Sequence, residues 1–184
     1  RDTGLQRKNV VDSILQSCIV LARQRIGALI VFEQEVGLRN YSERGVPINA
    51  SVSEELVQSI FHPTSPLHDG AVVISRKGEL LAARCILPVS MNSRLDPDLG
   101  TRHRAAIGLT EETDAVVLVV SEERKEISLS YQGQLVRGAN ENIRLTLLEV
   151  LEGRLPDTLK QPADEESTEQ TNESLSRMKP SPQP

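Results

Sequence analysis

The sequence predicts a single α/β domain, with one mixed, mostly central β-sheet of six or seven strands flanked by helices. Three observations carry this expectation. Short apolar runs alternate along the chain with stretches whose apolar side chains recur at helical spacing, so strands and helices are interleaved. The interleaving lacks a strict strand–helix–strand rhythm and includes a tight hairpin, which points to a mixed rather than a purely parallel sheet. At 184 residues the chain has room for one core and an appendage, but not for two full cores.

Each element follows from local pattern. From Val10 to Ala22 the apolar residues Val10, Val11, Ile14, Leu15, Cys18, Ile19, Leu21 and Ala22 share one helical face. Gly27 to Phe32 reads as a short buried strand. After a polar, glycine-punctuated stretch, Ser51 with Glu54 makes a capping-box pattern ahead of a second helix through Ile60. Pro63 and Pro66 end it and fix an extended loop. Ala71–Ser75, the turn Arg76-Lys77-Gly78, and Glu79–Leu87 form a hairpin. Gly100-Thr101 introduces a third helix over about Arg102–Leu109. Ala115–Ser121 is a continuous apolar strand, Ile127–Tyr131 alternates, and Gln134–Arg137 follows the turn at Gly133. A fourth helix is expected from about Asn140 to Leu151, with Gly153 as its stop. The most continuously apolar strands, 27–32, 71–75 and 115–121, should form the centre of the sheet.

Composition narrows the function classes. A formal net charge of −5 argues against a strongly basic nucleic-acid binder. With two Phe, two Tyr and no Trp, the chain lacks the stacking platforms that hold single strands, so any bound base should sit between aliphatic side chains. From Leu155 onward, acidic and Ser/Thr/Gln/Asn-rich sequence carries five of the ten prolines and no periodicity. Residues 1–154 are therefore expected to form the folded domain and 155–184 a disordered acidic tail. Cys18 and Cys85 lie in apolar runs without metal spacing, as buried reduced thiols do. No run reaches the ~18 apolar residues of a membrane span. The chain opens on Arg1, so a trimmed portion of a longer, membrane-linked protein is the expectation.

Three clusters place polar or glycine residues at the edge of apolar elements, where sites form. In Leu67-His68-Asp69-Gly70-Ala71 a carboxylate beside a glycine precedes a buried strand. It can accept a hydrogen bond from a hydroxyl or bind a cation, though an ordinary Asp-Gly turn would read the same. In Gly100-Thr101-Arg102-His103-Arg104 two guanidiniums, an imidazole and a hydroxyl gather at a helix start, where unpaired N–H groups favour anions. A solvated basic helix end is the alternative, but cations ordinarily favour the other end of a helix. His103, between two arginines, should stay neutral. Ser121-Glu122-Glu123 closes the long apolar strand and could bind a phosphate and a divalent metal. Glu122–Glu126 taken together look more like a solvated turn. An Asp-Gly element, a basic helix start and an acidic strand end are the parts of metal-assisted phosphoryl or nucleotidyl transfer.

PLHDGAVVI (66 to 74), LGTRHRAAIG (99 to 108) and VVSEE (119 to 123), in this order and spacing, resemble the diadenylate cyclase family. The opening helix followed by RIGALIVFE (25 to 33), and ILPVS (86 to 90), are most similar to its membrane-linked CdaA-type branch. The likeness spans about residues 7 to 153. It implies the DAC-domain fold and condensation of two ATP into cyclic di-AMP and two pyrophosphates. Asp69, with Gly70 and Ala71, would activate the ribose 3′-hydroxyl. Thr101, Arg102, His103, Arg104 and Ser121 would hold the phosphates, and Leu87 would contact adenine. His68 and Glu123 would bind a divalent metal ion, Mn²⁺, Mg²⁺ or Co²⁺. The resemblance also implies a homodimer with face-to-face sites, a membrane regulator and a phosphoglucosamine mutase as partners, no nucleic acid, and a location on the cytoplasmic side of the bacterial plasma membrane. Ile86 departs from relatives that place an aromatic there. A catalytically silent adenine-nucleotide sensor and an acidic-partner docking module are the competing readings.

Overall fold

A computed structural model describes residues 3–138 and 142–159. Its elements run α1 (Thr3–Arg23), β1 (Ala28–Phe32), α2 (Arg39–Ser42), β2 (Val46–Ser51), α3 (Glu54–Phe61), β3 (Ala71–Ile74), β4 (Glu79–Cys85), α4 (Thr101–Glu112), β5 (Val116–Val120), β6 (Ile127–Tyr131), β7 (Gln134–Val136) and α5 (Ile143–Leu151), followed by a 3₁₀ turn, Asp157–Leu159. The strands form one sheet in the order β2-β4-β3-β1-β5-β6-β7. β1 pairs parallel with β3, and every other neighbouring pair is antiparallel. The predicted mixed α/β class holds, and β3, β1 and β5 occupy the centre.

Those three strands are buried on both faces, and their alternate residues divide the core in two. Ile30, Phe32, Val72, Ile74, Val116, Leu118 and Val120 face one layer, where Ile14, Cys18 and Leu21 of α1, Val57, Ile60 and Phe61 of α3, and Leu147 and Val150 of α5 pack. Leu29, Val31, Ala71, Val73, Val117 and Val119 face the other, against Ala105, Ala106 and Leu109 of α4. The result is a three-layer sandwich. A fully buried Ile or Leu in such a layer contributes on the order of 1.5–3 kcal/mol relative to exposure. Burial pushes the Cys18 thiol up to about 12 and the Cys85 thiol up to about 11, so both stay protonated.

The structure departs from the sequence reading at its polar elements. β2 had no counterpart: it pairs only with β4, and none of its residues is buried, so it carries no apolar period to detect. Its Pro47 is tolerated on an edge strand, beside a register shift at which Asn49 takes φ 51°. The capping residue of α3 is Ser53, whose Oγ accepts the Leu56 N–H at 3.1 Å; Ser51 is the last residue of β2. α1 starts earlier than Val10, and α4 runs from Thr101 to Glu112. The fourth expected helix is α5, which starts at Ile143; Asn140 lies outside the described residues. With α2, the described residues hold one more α-helix than expected. Packing continues beyond Gly153 to Leu159, which joins the core, while 160–184 lie outside the described residues. No helix among the described residues is long and apolar enough to cross a membrane.

Candidate nucleotide site

Sheet topology brings three segments, far apart in sequence, to one end of the sheet. Ile30 pairs with Val72 in parallel register, and Ala28 pairs with Val120 in antiparallel register. The start of β1, the start of β3 and the end of β5 therefore share one edge of the molecule. Ala71 pairs with Cys85, which adds the end of β4 to that edge. His68, Asp69 and Gly70 precede β3, Ser121–Glu123 follow β5, and Ile86 and Leu87 follow β4. Gly27, just before β1, ties the start of α4 to the same place: a Cβ there would stand 2.6 Å from Arg102 Cζ and 2.7 Å from Glu122 Oε2.

Around the start of α4 lies a hollow of about 200 Å³, lined by Asp98, Gly100, Thr101, Arg102, His103, Ser121, Glu122, Glu123, Arg124 and Arg137. Gly100 supplies no side-chain cap to α4, so the first N–H groups of this twelve-residue helix have no side-chain acceptor at the cap. Arg102 Nη1 lies 3.3 Å from both carboxylate oxygens of Glu122. His103 is buried, and its Nε2 has no hydrogen-bond partner. Burial first, then the positive charge of Arg137, holds the imidazole below its usual 6.5, as a neutral ring. Ser121 Oγ accepts the Arg124 N–H at 3.3 Å and closes the turn after β5. That turn, read from sequence as merely solvated, forms a wall of the hollow through Glu122, Glu123 and Arg124.

Of the residues predicted to hold phosphate or adenine, two stand apart from the hollow. Arg104 does not line the hollow: its Nε donates to the Leu99 carbonyl at 3.3 Å and its Nη2 to the Asp96 carbonyl at 3.0 Å, pinning the loop before α4. Leu87 has its side chain in the core on the α4 face, only 6% exposed, whereas its neighbour Ile86 is 76% exposed. Arg137, after β7, lines the hollow but has no sequence signal beyond being an arginine at a strand end.

Asp69 is presented differently. Its side chain is 82% exposed, and its Oδ1 lies 3.4 Å from His68 Nε2. His68 Nδ1 donates to the Ser65 carbonyl at 2.6 Å, which fixes the ring with Nε2 facing the Asp69 carboxylate. Gly70 takes φ +92°, and a Cβ there would stand 2.8 Å from the Cys85 carbonyl oxygen, so the turn into β3 admits only glycine without strain. Ala71 is buried at the head of the strand. A larger hollow of about 990 Å³ lies at the opposite end of the sheet, by Arg7, Lys8, Arg76 and Lys77, and none of the predicted site residues lines it.

Comparisons with known proteins identify the family. The cyclic di-AMP synthase CdaA of Bacillus subtilis is 41% identical over 143 residues, 78% of this chain and 52% of that protein. A diadenylate cyclase of Listeria monocytogenes is 44% identical over 136 residues, 74% of this chain and 50% of its own length. The chain thus spans about half the length of these relatives. A crystal structure of DacA from Staphylococcus aureus, a double mutant, superposes with a TM-score of 0.75 at 40% identity, covering 79% of this chain and 97% of that one. Residues 15–135, which hold the Asp-Gly turn, the start of α4 and the turn after β5, match the model of the family described as DisA bacterial checkpoint controller nucleotide-binding, and the chain belongs to this DAC, or diadenylate cyclase, family.

Proposed function

We propose that the chain is the catalytic part of a diadenylate cyclase, condensing two ATP into cyclic di-AMP and two pyrophosphates. The observation that carries this reading is the meeting of an exposed carboxylate, a helix start without a side-chain cap and an acidic strand end at one edge of the sheet. Each ribose 3′-oxygen forms a bond to the α-phosphorus of the other ATP, the bond from that phosphorus to the β-phosphate bridging oxygen breaks, and pyrophosphate leaves. Asp69 takes the 3′-hydroxyl proton; its exposure suits a base that must meet a hydroxyl presented to a second bound nucleotide. The N–H groups at the start of α4, Thr101, Arg102 and Ser121 hold phosphate oxygens, and the unpartnered Nε2 of neutral His103 donates one more hydrogen bond. Arg104 serves this clamp by fixing the loop from behind. Adenine lies at the strand end 86–87, touching the Leu87 backbone and the Ile86 side chain.

The donor set, one imidazole nitrogen and one carboxylate oxygen, suits a first-row divalent ion such as Mn²⁺ or Co²⁺. His68 has Nδ1 held on a carbonyl, as metal-binding imidazoles do, so that Nε2, which lies beside Asp69, would face the ion, and Glu123 would supply an oxygen. No group of three or more His, Cys, Asp or Glu that could hold a metal occurs among the described residues, so substrate phosphates would have to supply the ion's remaining ligands. When bound, Mn²⁺, Mg²⁺ or Co²⁺ would neutralise phosphate charge. Activity requires two copies face to face, because each protomer holds one ATP. In the whole protein the family likeness extends the proposal to the cytoplasmic face of the plasma membrane, a membrane regulator and a phosphoglucosamine mutase. The test is incubation with ATP and each of the three metals, followed by chromatography; no cyclic di-AMP under any metal, at concentrations where dimers form, sinks the reading.

A further inference from the structure

We infer that Arg137 is a further ligand for the substrate triphosphate, held on Asp96 as a stand-in anion until ATP enters. The inference rests on the ATP reading above and extends its site to a residue outside the Asp-Gly, Thr-Arg-His-Arg and Ser-Glu-Glu segments. Arg137 follows edge strand β7, yet its side chain lines the hollow at the start of α4. Its guanidinium is loosely held: Nη1 is 3.5 Å from Asp96 Oδ2 and Nη2 is 3.9 Å from Glu126 Oε2. Charge-assisted N–H···O bonds close to about 2.7–2.9 Å, as the Arg144–Asp12 pair does at 2.6 Å. Glu126 Oε2 is buried with no hydrogen bond, so the guanidinium sits between two carboxylates and satisfies neither fully.

Three guanidiniums, those of Arg102, Arg124 and Arg137, stand around the hollow, and Arg124 is on the exposed turn after β5. A triphosphate enters a space that Asp98, Glu122 and Glu123 also line. Arg102 is already shared with Glu122, and Arg104 is spent on two carbonyls of the loop 96–99. Arg137 supplies the guanidinium that the sequence assigns to Arg104. Exchanging Asp96 for a phosphate oxygen replaces one long contact by a close one. Asp96 need not move, because Arg104 holds its backbone.

Steady-state kinetics on the full chain, with ATP and a divalent metal, tests this. Arg137→Gln should raise KM at least about tenfold, the worth of a hydrogen bond to a charged group, with kcat within about threefold. Asp96→Asn should lower KM when Arg137 is present and leave it unchanged in the Arg137→Gln background, the non-additivity of residues that act through one another. Should Arg137→Gln fail to fold, the Glu126→Gln/Arg137→Gln double variant removes the buried carboxylate and carries the same expectation. A folded Arg137 variant with wild-type KM, or an Asp96→Asn effect that persists without Arg137, overturns the inference. If the wild type makes no cyclic di-AMP, the cyclase reading fails instead, and ATP affinity by calorimetry still decides Arg137: unchanged affinity in Arg137→Gln overturns it.

Discussion

At the scale of single residues, two side chains at the same sheet edge are set for opposite tasks by their surroundings. Asp69 is exposed, and it lies outside the phosphate hollow. Asp69→Asn should therefore abolish cyclic di-AMP formation while leaving ATP affinity within about threefold of wild type, because the base is lost and the clamp is kept. Turnover by chromatography and affinity by calorimetry separate the two effects, and wild-type turnover would remove Asp69 from its role. His103 is buried and kept neutral. Its proton affinity is lowered by folding, so the unfolded chain binds the proton first. The stability it contributes is complete above the unfolded value of 6.5 and is lost as pH falls from there through the lower folded value. Melting temperature followed from about pH 7.5 to 5 should fall more steeply for wild type than for His103→Gln. Equal slopes would mean that another group governs acid sensitivity. Both residues were legible in the sequence by their neighbours. Arg137 was not, since only the pairing of β7 with β6 brings it near the start of α4.

At the scale of elements, legibility followed apolar periodicity. β1, β3 and β5 are buried along their whole length and were readable as continuous runs. β2, a bulged edge strand with no buried residue, left no such trace, and a capping-box match two residues early obscured the true cap at Ser53. α4 is the element on which the site depends, and its seat is fixed by a contact that no pattern announces. A Cβ on Gly108 would stand 2.0 Å from the Pro88 carbonyl oxygen and 2.8 Å from the Ser90 N, so helix and loop backbones touch there. The Ser90 N–H donates to the Arg104 carbonyl at 3.0 Å across the same contact. In an exposed helix, Gly to Ala gains up to about 1 kcal/mol. Here the sign should reverse: Gly108→Ala should cost about 2 kcal/mol or more, because both partners are backbone and neither can swing aside. Because α4 would shift with respect to β5, ATP affinity should fall as well. Denaturant unfolding and calorimetry check the two parts, and a Gly108→Ala protein as stable as wild type would show that the loop 88–90 yields.

At the scale of the molecule, helices pack on both faces of the sheet, so its stability should not require a second copy, whereas its proposed chemistry does. The site lies on a sheet edge, open to solvent, with the Asp69 carboxylate pointing to water and Ile86, Val89 and Met91 exposed on the segment that follows β4. In the proposed reaction each protomer would present one carboxylate and one phosphate clamp, whereas the product would contain two phosphodiester bonds, each made from the 3′-oxygen of one nucleotide and the α-phosphorus of the other. On that proposal one protomer would bind its ATP and bring no second α-phosphate to its hydroxyl. Two protomers related by a two-fold axis would supply each attack with its target, and both bonds would form in equivalent surroundings. Rate and folding should therefore depend on concentration in different ways. With ATP saturating, the initial rate of cyclic di-AMP formation should rise with the square of protein concentration while monomers dominate, and become linear once dimers do. The melting temperature without ATP should stay level across the same range. A rate strictly proportional to concentration down to the point where light scattering finds only monomers would place both nucleotides on one chain and exclude the face-to-face arrangement.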